Sequence, residues 1–137
     1  NIAFVLNNMN FDELPSLYNQ GDIFISPTMG DAFNLPCLEA MACGLPVITT
    51  NFGGQTDYVN NSNGWLIDYD LINVIWDISY EGNQWAIPDI TNLRQTMRYA
   101  YEHQNEVKDK GIKAVESTQN LTWKKSANLL LNLIKEL

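Results

Sequence analysis

Two carboxylates, Asp31 and Glu39, lie eight residues apart in a segment that has the features of a ligand-binding loop. The segment, residues 26–36, follows a short β-like run and leads into an apolar helical stretch. The first amides of such a helix, at the positive end of its dipole, can hold a phosphate or a carboxylate. Carboxylates suit the vicinal hydroxyls of a ribose or a hexose. The spacing therefore predicts that both acids face one ligand, Asp31 from the loop and Glu39 from the helix.

Each of these acids also has a purely structural explanation. An acid near a helix N-terminus stabilises the helix by about 0.3–1 kcal/mol without any ligand. Glu39 lies among Leu38, Ala40 and Met41, and a carboxylate buried in such a helix needs a polar partner. The sequence leaves ligand contact and an internal partner both open for Glu39, and it favours the structural explanation for Asp31.

Metal and disulfide chemistry find no support in the sequence. The chain has two cysteines, Cys37 and Cys43, and one histidine, His103. The cysteines lie six residues apart in one predicted helix, roughly 240° around its axis, so they cannot easily bridge. We therefore expect neither a zinc site nor a disulfide framework, and a reduced, cytoplasmic setting.

The charge of the chain is strongly acidic and unevenly distributed. Eight basic residues stand against sixteen acidic ones, the net charge is −8, and the first basic residue is Arg94. This balance excludes nucleic acid and anionic membranes as favoured partners. If the first two thirds of the chain bind a phosphorylated ligand, backbone amides or cations from elsewhere must hold it.

The elements that must position these residues alternate along the chain. Short apolar runs predict four parallel strands, at residues 2–6, 23–26, 46–50 and 64–67. Helical stretches lie between and after them, at residues 12–19, 35–43, 55–59, 89–102, 105–117 and from residue 122 or 123 onward. Such alternation indicates an α/β fold with a parallel sheet.

We predict one partial domain over residues 1–137, in three parts. A strand and helix core spans residues 1–67, an acidic and aromatic insertion with a short helix and a loop spans 68–88, and helices span 89–137. Trp76 and Trp85 are expected to cover the sheet edge, with stacking on a sugar as the alternative, and Trp123 is expected in the core. Because the chain opens on Asn1 in a strand-like run, we expect a piece of a longer protein whose exposed sheet edge favours self-association.

The ordered motifs of residues 17–67 resemble the retaining group 1 glycosyltransferases, also called family 4, of the GT-B fold. The stretch LYNQGDIFISPT (17–28) is similar to the strand that enters the family's donor site. The stretch DAFNLPCLEAMACGLPVI (31–48) is similar to its two-acid signature, an acid followed after seven residues by Glu. TTNFGGQTDYV (49–59) and GWLI (64–67) follow in the expected order. The resemblance implies the Rossmann-like C-terminal half of a GT-B enzyme, ending in an all-helical part.

This resemblance implies transfer of a sugar from a nucleotide-diphosphate (NDP) donor to a glycan, lipid or protein acceptor, with retention at the anomeric carbon. Asp31 and Glu39 are the implied catalytic residues, with Asp31 on the sugar and Glu39 on the ribose hydroxyls. The implied donor-binding residues are Ala32, Phe33, Asn34, Leu35, Glu39, Gly53 and Gly54. Neither a metal nor another cofactor is implied, because fixed dipoles and cations stabilise the leaving diphosphate.

The chain departs from the family pattern at three points. Its first acid is Asp rather than Glu, and Ala32 and Asn34 flank Phe33 where the family commonly has glycines. The family's basic pair that grips the diphosphate lies upstream of residue 1. The resemblance also implies an N-terminal acceptor domain outside these residues, so we expect this fragment alone to be inactive.

We weigh two other classes of function, of which the first stays open and the second lacks the residues it requires. The first is a non-catalytic nucleotide-binding, sugar-binding or scaffold module derived from such an enzyme. The second is a flavodoxin-like receiver or phosphatase domain, which needs an acidic cluster or a nucleophile after its first strand. Asn7 and Asn8 stand there and supply neither.

Overall fold

The computed structural model describes residues 9–10, 12–74 and 82–136. Its centre is a parallel sheet with the strand order β1 (Phe24–Ser26), β2 (Val47–Thr50) and β3 (Gly64–Ile67). In this register Ile48 lies beside Ile25 on one side and Trp65 on the other. The middle strand β2 is buried along its whole length, as parallel strands covered on both faces are. The predicted α/β fold is thus confirmed; the strand predicted at residues 2–6 lies outside the described residues.

The described ranges contain five α-helices: α1 (Leu14–Tyr18), α2 (Leu35–Ala42), α3 (Ile90–Glu102), α4 (Gln104–Thr118) and α5 (Trp123–Lys135). A 3₁₀ turn over Gly54–Asp57 follows β2. The side chain of Asp89 accepts hydrogen bonds from two amides in the first turn of α3, so the predicted N-cap is confirmed. Gly44, with φ of +90°, directly follows Cys43, the C-cap of α2, as a helix-terminating glycine does.

The core lies on both faces of the sheet because successive residues of a strand point to opposite faces. Val47 packs with Met41 of α2 and Ala114 of α4 in one apolar cluster. Its neighbour Ile48 packs with Ala100 of α3 in a second cluster. Helices therefore flank both faces, and α2, which carries Glu39, is fixed between the sheet and α4.

Two adjacent residues of α4, Lys110 and Gly111, contact the segments around the parallel sheet closely. A Cβ on Gly111 would lie 2.4 Å from the carbonyl oxygen of Gly44, so glycine is needed for this approach. The buried ammonium of Lys110 donates to the carbonyls of Asn61 and Gly64 and lies 4.7 Å from the ring centroid of Trp65. Lys110 thus joins α4 to the turn that leads into β3.

The described parts of the insertion hold two strands that the sequence analysis did not predict. Residues 68–74 and 82–88 contain the antiparallel strands β4 (Tyr69–Asn73) and β5 (Gln84–Pro88), which pair only with each other among the described strands. The rest of the segment predicted as a short helix and a loop, residues 75–81, lies outside the described residues. Trp76 lies outside the described residues. Trp85 lies on β5 opposite Ile72, and its cover of the sheet edge stays a prediction. We refer to β4 and β5 together as the ribbon.

Helix α5 also departs from the prediction. Its apolar stripe is present, but every described residue of the helix is exposed, including Leu130 and Ile134. Trp123, which we expected in the core, is 88% exposed. An apolar stripe shows which face a helix tends to bury, but it does not show that a partner surface is present. Among the described helices, none is long and apolar enough to cross a membrane.

Candidate functional site

The candidate site is built on the loops that follow β1 and β2. In open α/β sheets, ligands bind outside the carboxyl ends of the strands, and both loops leave the sheet at that edge. The hydroxyl of Thr49 at the end of β2 donates to the carbonyl of Ser26 at the end of β1, over 2.8 Å. The side-chain amide of Asn34 donates to the hydroxyl oxygen of Ser26 over 3.3 Å. The two strand ends and the start of α2 are therefore linked by side-chain hydrogen bonds.

Asp31 bonds the backbone of the loop that leads into α2. Its Oδ1 atom accepts hydrogen bonds from the backbone amides of Phe33, over 2.9 Å, and Asn34. Two of the amides that the sequence offered to a diphosphate are thus already bonded within the loop. Pro36 has no N–H, so Leu35 supplies the amide in this first turn that has no acceptor among the described residues.

Asn34 takes a left-handed conformation at the same point, with φ of 59° and ψ of 63°. It is the only non-glycine residue with positive φ in the described part of the chain. Asparagine tolerates this region better than most residues, and glycine better still. The conformation explains why asparagine can stand here in place of the glycine that the family pattern led us to expect.

Gly53 and Gly54 pack directly on the backbone of the Asp31 loop. The amide of Gly54 donates to the carbonyl of Asp31 over 3.0 Å. A Cβ on Gly54 would lie 1.9 Å from the carbonyl oxygen of Ala32, and one on Gly53 would lie 2.6 Å from that of Asp31. The structure therefore brings these predicted site residues together, and only glycines allow so close an approach.

Gln55 lies beneath this glycine pair, and the sequence analysis missed it. Its buried side-chain amide donates to the carbonyls of Thr50 and Phe52 and lies 3.3 Å from the hydroxyl oxygen of Thr28. These contacts hold the loop after β2 against the loop after β1. The Gln55 Oε1 and Thr50 Oγ1 atoms are buried without a hydrogen-bond partner in the described structure, which is uncommon for buried polar atoms.

Tyr58 closes the same two loops from the other side. Its hydroxyl lies 2.7 Å from the carbonyl oxygen of Phe33 and 2.8 Å from that of Asn34, so it donates to this pair. Its ring lies 5.3 Å from that of Phe33, centroid to centroid. Burial raises the pKa of Tyr58 well above the ordinary tyrosine value, so the hydroxyl remains a donor at neutral pH.

Glu39 has an internal partner in Tyr18 of α1. The Tyr18 hydroxyl donates to Oε2 of Glu39 over 3.0 Å. Burial, followed by this carboxylate, raises the pKa of Tyr18 to about 12. A half-buried tyrosine in the predicted α1 was the signal that could have found this pair, since buried tyrosine hydroxyls need partners.

The two acids share one feature. Oδ1 of Asp31 and Oε2 of Glu39 are hydrogen-bonded within the protein, whereas Oδ2 and Oε1 have no partner among the described residues. Glu39 borders a cavity of about 240 Å³, and Asp31 is not part of its lining. The two acids are thus oriented by separate partners.

The remaining sulfur and imidazole groups do not form a reactive centre. Cys37 and Cys43 are free, as predicted. Burial raises the pKa of Cys37 to about 11, so it is a thiol rather than a nucleophilic thiolate at neutral pH. His103 lies between α3 and α4 with Nδ1 2.7 Å from the carbonyl oxygen of Tyr99. Over the described ranges, no three His, Cys, Asp or Glu side chains are grouped to hold a metal ion.

The chain is similar to known glycosyltransferases. The family model for group 1 glycosyl transferases matches residues 1–74. The chain is 26% identical over 125 residues to a D-inositol 3-phosphate glycosyltransferase of Paenarthrobacter aurescens, which covers 90% of the chain and 26% of that protein. It is 30% identical over 97 residues to the O-antigen chain mannosyltransferase B of Escherichia coli, which covers 67% of the chain and 25% of that protein.

A solved structure shares the fold. Sucrose-phosphate synthase from Thermosynechococcus elongatus aligns with 96% of this chain and 29% of its own, with a TM-score of 0.73 and 21% sequence identity. At that identity the likeness concerns the fold. The chain spans about a quarter of the length of the curated relatives it matches first, 28% and 26%.

Proposed function

This chain belongs to the group 1 glycosyltransferases, and from that premise we propose that it is the donor-binding part of a retaining, NDP-sugar-dependent transferase of family 4 and the GT-B fold. The acceptor is a glycan, a lipid or a protein, bound mainly by the remainder of a longer enzyme. The matched relatives are named for different acceptors, so the family alone does not select one. We place the enzyme in the cytoplasm because its two cysteines are free.

The observation that carries this proposal is the joining of two loops at the carboxyl edge of the sheet. The amide of Gly54 donates to the Asp31 carbonyl, and the hydroxyl of Tyr58 donates to the carbonyls of Phe33 and Asn34. A preorganised loop pair is what a transferase needs to fix a donor without further rearrangement.

Glu39 is the proposed ribose-binding residue. Tyr18 holds one carboxylate oxygen, which leaves Oε1 to accept hydrogen bonds from vicinal hydroxyls. The carboxylate is oriented before the donor arrives, so less conformational entropy is lost on binding. Tyr18 is then a positioning residue for Glu39, a role that the sequence analysis did not assign to it.

Asp31 is the proposed sugar-binding residue and works in the same way. The Phe33 and Asn34 amides hold Oδ1, and Oδ2 of this exposed side chain is available to a sugar hydroxyl. Phe33 and Asn34 therefore serve the donor by orienting Asp31, and the free Leu35 amide is the one that approaches the diphosphate. Ala32, Gly53 and Gly54 contribute the backbone on which Asp31 rests.

The leaving diphosphate needs positive charge that residues 1–93 do not carry, since Arg94 is the first basic residue. The dipole of α2 supplies part of it. In this proposal the rest comes from cations elsewhere in the longer enzyme, and no metal or other cofactor takes part. The acceptor then attacks the same face of the sugar from which the diphosphate departs, which retains the anomeric configuration.

The test is a panel of UDP-, GDP- and ADP-sugars bound to the full-length protein and measured by thermal shift and calorimetry. One donor should stabilise the protein. Glu39→Gln should weaken that donor about tenfold to a hundredfold, because hydrogen bonds to charged groups contribute about 1.5–3 kcal/mol. Glu116→Gln, on the exposed side of α4, is the control and should bind as the wild type does. A folded protein that binds no donor would contradict the proposal.

A non-catalytic module is the second candidate function. The lack of basic residues before Arg94 favours it, because a scaffold that binds a sugar or nucleotide need not stabilise a leaving diphosphate. Product analysis separates the two candidates. Donor binding with neither transfer nor donor hydrolysis by the full-length protein, across an acceptor panel, would support the module and exclude the enzyme.

A further inference from the structure

The ribbon contacts both loops of the candidate site. The amide of Ala86 on β5 donates to the carbonyl of Met29 over 2.8 Å. The ring of Tyr69 on β4 lies 5.3 Å from that of Phe52, centroid to centroid. Met29 is two residues before Asp31, and Phe52 directly precedes Gly53. The ribbon thus lies against both loops close to the residues proposed to hold the sugar.

Trp85, the largest side chain among the described residues of the ribbon, lies at this position. The residue is half-buried, and a Cβ on Gly30 would lie 3.9 Å from its Cδ1 atom. Gly30 directly precedes Asp31. The indole therefore lies beside the backbone of the sugar-binding loop, whereas Glu39 and its partner Tyr18 belong to α2 and α1.

The position has a chemical meaning for a carbohydrate. A pyranose ring presents hydroxyls at its edge and C–H groups on its faces, so carboxylates bind the edge while an aromatic ring packs against a face. Binding sites for small molecules commonly combine apolar or aromatic walls with a few placed polar groups. Asp31 and Trp85 provide these two kinds of surface from adjacent segments.

We propose that the ribbon is the wall of the donor site at its sugar end and that Trp85 packs against the transferred sugar. This inference rests on the proposed function and assigns the sugar specificity of the site to an element outside residues 17–67, which carry the family motifs. Ala86, the residue after Trp85, is fully buried and its amide bonds the Met29 carbonyl. This anchor holds the backbone of Trp85 in a fixed position beside the loop that carries Asp31. The indole then selects donors by the shape of the sugar.

The test compares two ligands on the full-length protein, the NDP-sugar that binds in the panel and the same NDP without its sugar. Trp85→Ala should weaken the NDP-sugar about tenfold, which corresponds to the contribution of an aromatic contact, and should leave NDP binding within about twofold. Trp85→Phe should restore most of the lost affinity. Leu71→Ala, an exposed apolar residue on the same ribbon, is the matched control and should change neither ligand.

The outcomes separate this inference from the proposed function. Equal weakening of NDP and NDP-sugar would mean that Trp85 only supports the loop, and unchanged binding of both would mean that it takes no part; either result overturns the sugar wall. Thermal unfolding of each variant shows whether it is folded. If the wild-type protein binds no NDP-sugar, the proposed function itself is wrong and this inference falls with it.

Discussion

Asn34 holds a conformation at the start of α2 that most residue types adopt only at a cost. Asn34 has a left-handed φ of 59°. Its backbone amide and that of Phe33 donate to Oδ1 of Asp31, and its side-chain amide donates to the Ser26 hydroxyl. The sequence could show that asparagine replaced a family glycine, but not that the position has positive φ. The backbone requirement thus became visible only from the dihedral angle.

Asn34→Ala should destabilise the protein by about 1–2 kcal/mol, because the left-handed region is unfavourable to a residue with a Cβ and no polar side chain. Asn34→Gly should cost less, since glycine adopts this conformation freely and only the bond to Ser26 is lost. Urea unfolding of both variants measures the difference. Equal destabilisation by alanine and glycine would show that the side-chain bond, and not the backbone, matters here.

The buried tyrosines make stability depend on pH in the alkaline range. Burial and Glu39 raise the pKa of Tyr18 to about 12 in the folded protein, and burial raises that of Tyr58 further. An unfolded tyrosine ionises near pH 10, so above that pH the folded state binds more protons than the unfolded state. The free energy of unfolding should be at its full value below about pH 10 and fall as the pH rises toward 12.

Tyr18→Phe should flatten this loss, because the variant has no phenol to ionise at that position. Denaturant unfolding at pH 8, 9.5 and 10.5, followed by circular dichroism, measures the slope. Tyr101→Phe, at a tyrosine that is 70% exposed, is the control and should keep the wild-type slope. A wild-type protein whose stability does not change between these pH values would contradict the prediction.

At the scale of elements, the sequence predicted the three described parallel strands and the helices α2 to α4 to within two residues at each end. Periodicity and caps were sufficient there because each element buries a regular apolar face. The 3₁₀ turn after β2 was predicted as a short helix. The ribbon was missed because a long connection joins β4 to β5, and no two-residue turn marks a hairpin.

The site was predictable in part for a related reason. Asp31, Glu39 and the glycine pair could be found because they belong to an ordered motif. Gln55 and Tyr58 could not, since their roles depend on contacts across 25 to 27 residues of chain. Spacing within one element says nothing of such contacts. The same holds for Trp85, whose neighbour Gly30 lies on another element.

The packing of the glycine pair on the Asp31 loop predicts a strong effect of one methyl group. Gly54→Ala should destabilise the protein by about 1–3 kcal/mol, as overpacking at a close approach does, because the added Cβ would meet the Ala32 carbonyl. Gly30→Ala, in the facing loop, meets only ordinary contacts and serves as the control for stability. Thermal unfolding compares the two. A Gly54→Ala variant as stable as Gly30→Ala would show that the loops are not so closely packed.

Lys110 joins α4 to the turn before β3, and its removal should therefore be costly. Lys110→Met leaves the carbonyls of Asn61 and Gly64 without their donor, and an unsatisfied buried polar group costs about 1–3 kcal/mol. Lys113→Met, at an exposed position of the same helix, should change the free energy of unfolding little. Urea unfolding of the pair tests this, and equal stability of the two variants would contradict it.

At the scale of the whole molecule, two apolar surfaces are open in the described structure. The apolar face of α5 carries Leu129, Leu130, Leu133 and Ile134, all more than half exposed. The second surface is the edge of the described sheet at β1, where Ile25 is 37% exposed. Contiguous exposed apolar surface and unpaired strand edges both favour association. The chain alone should therefore self-associate.

Size-exclusion chromatography with light scattering measures this association at increasing concentration. Leu130→Glu combined with Leu133→Glu should reduce it if α5 is the contact, and an unchanged oligomer would point to the sheet edge instead. Lys124→Gln combined with Lys125→Gln, on the polar side of α5, changes the net charge by the same two units and is the charge-matched control. A monomer at high concentration of the wild-type chain would contradict the prediction.

The contacts among β1, β2 and the two site loops have a consequence for folding. All of them, from the Tyr18 bond to Glu39 to the Tyr58 bond to Phe33, join residues of one continuous stretch, 18–58. The loops that close to form them have up to 27 residues, and the entropy lost on closure grows only slowly with loop length. The contacts that join the two site loops can therefore form before α3, α4 and the ribbon dock onto this stretch.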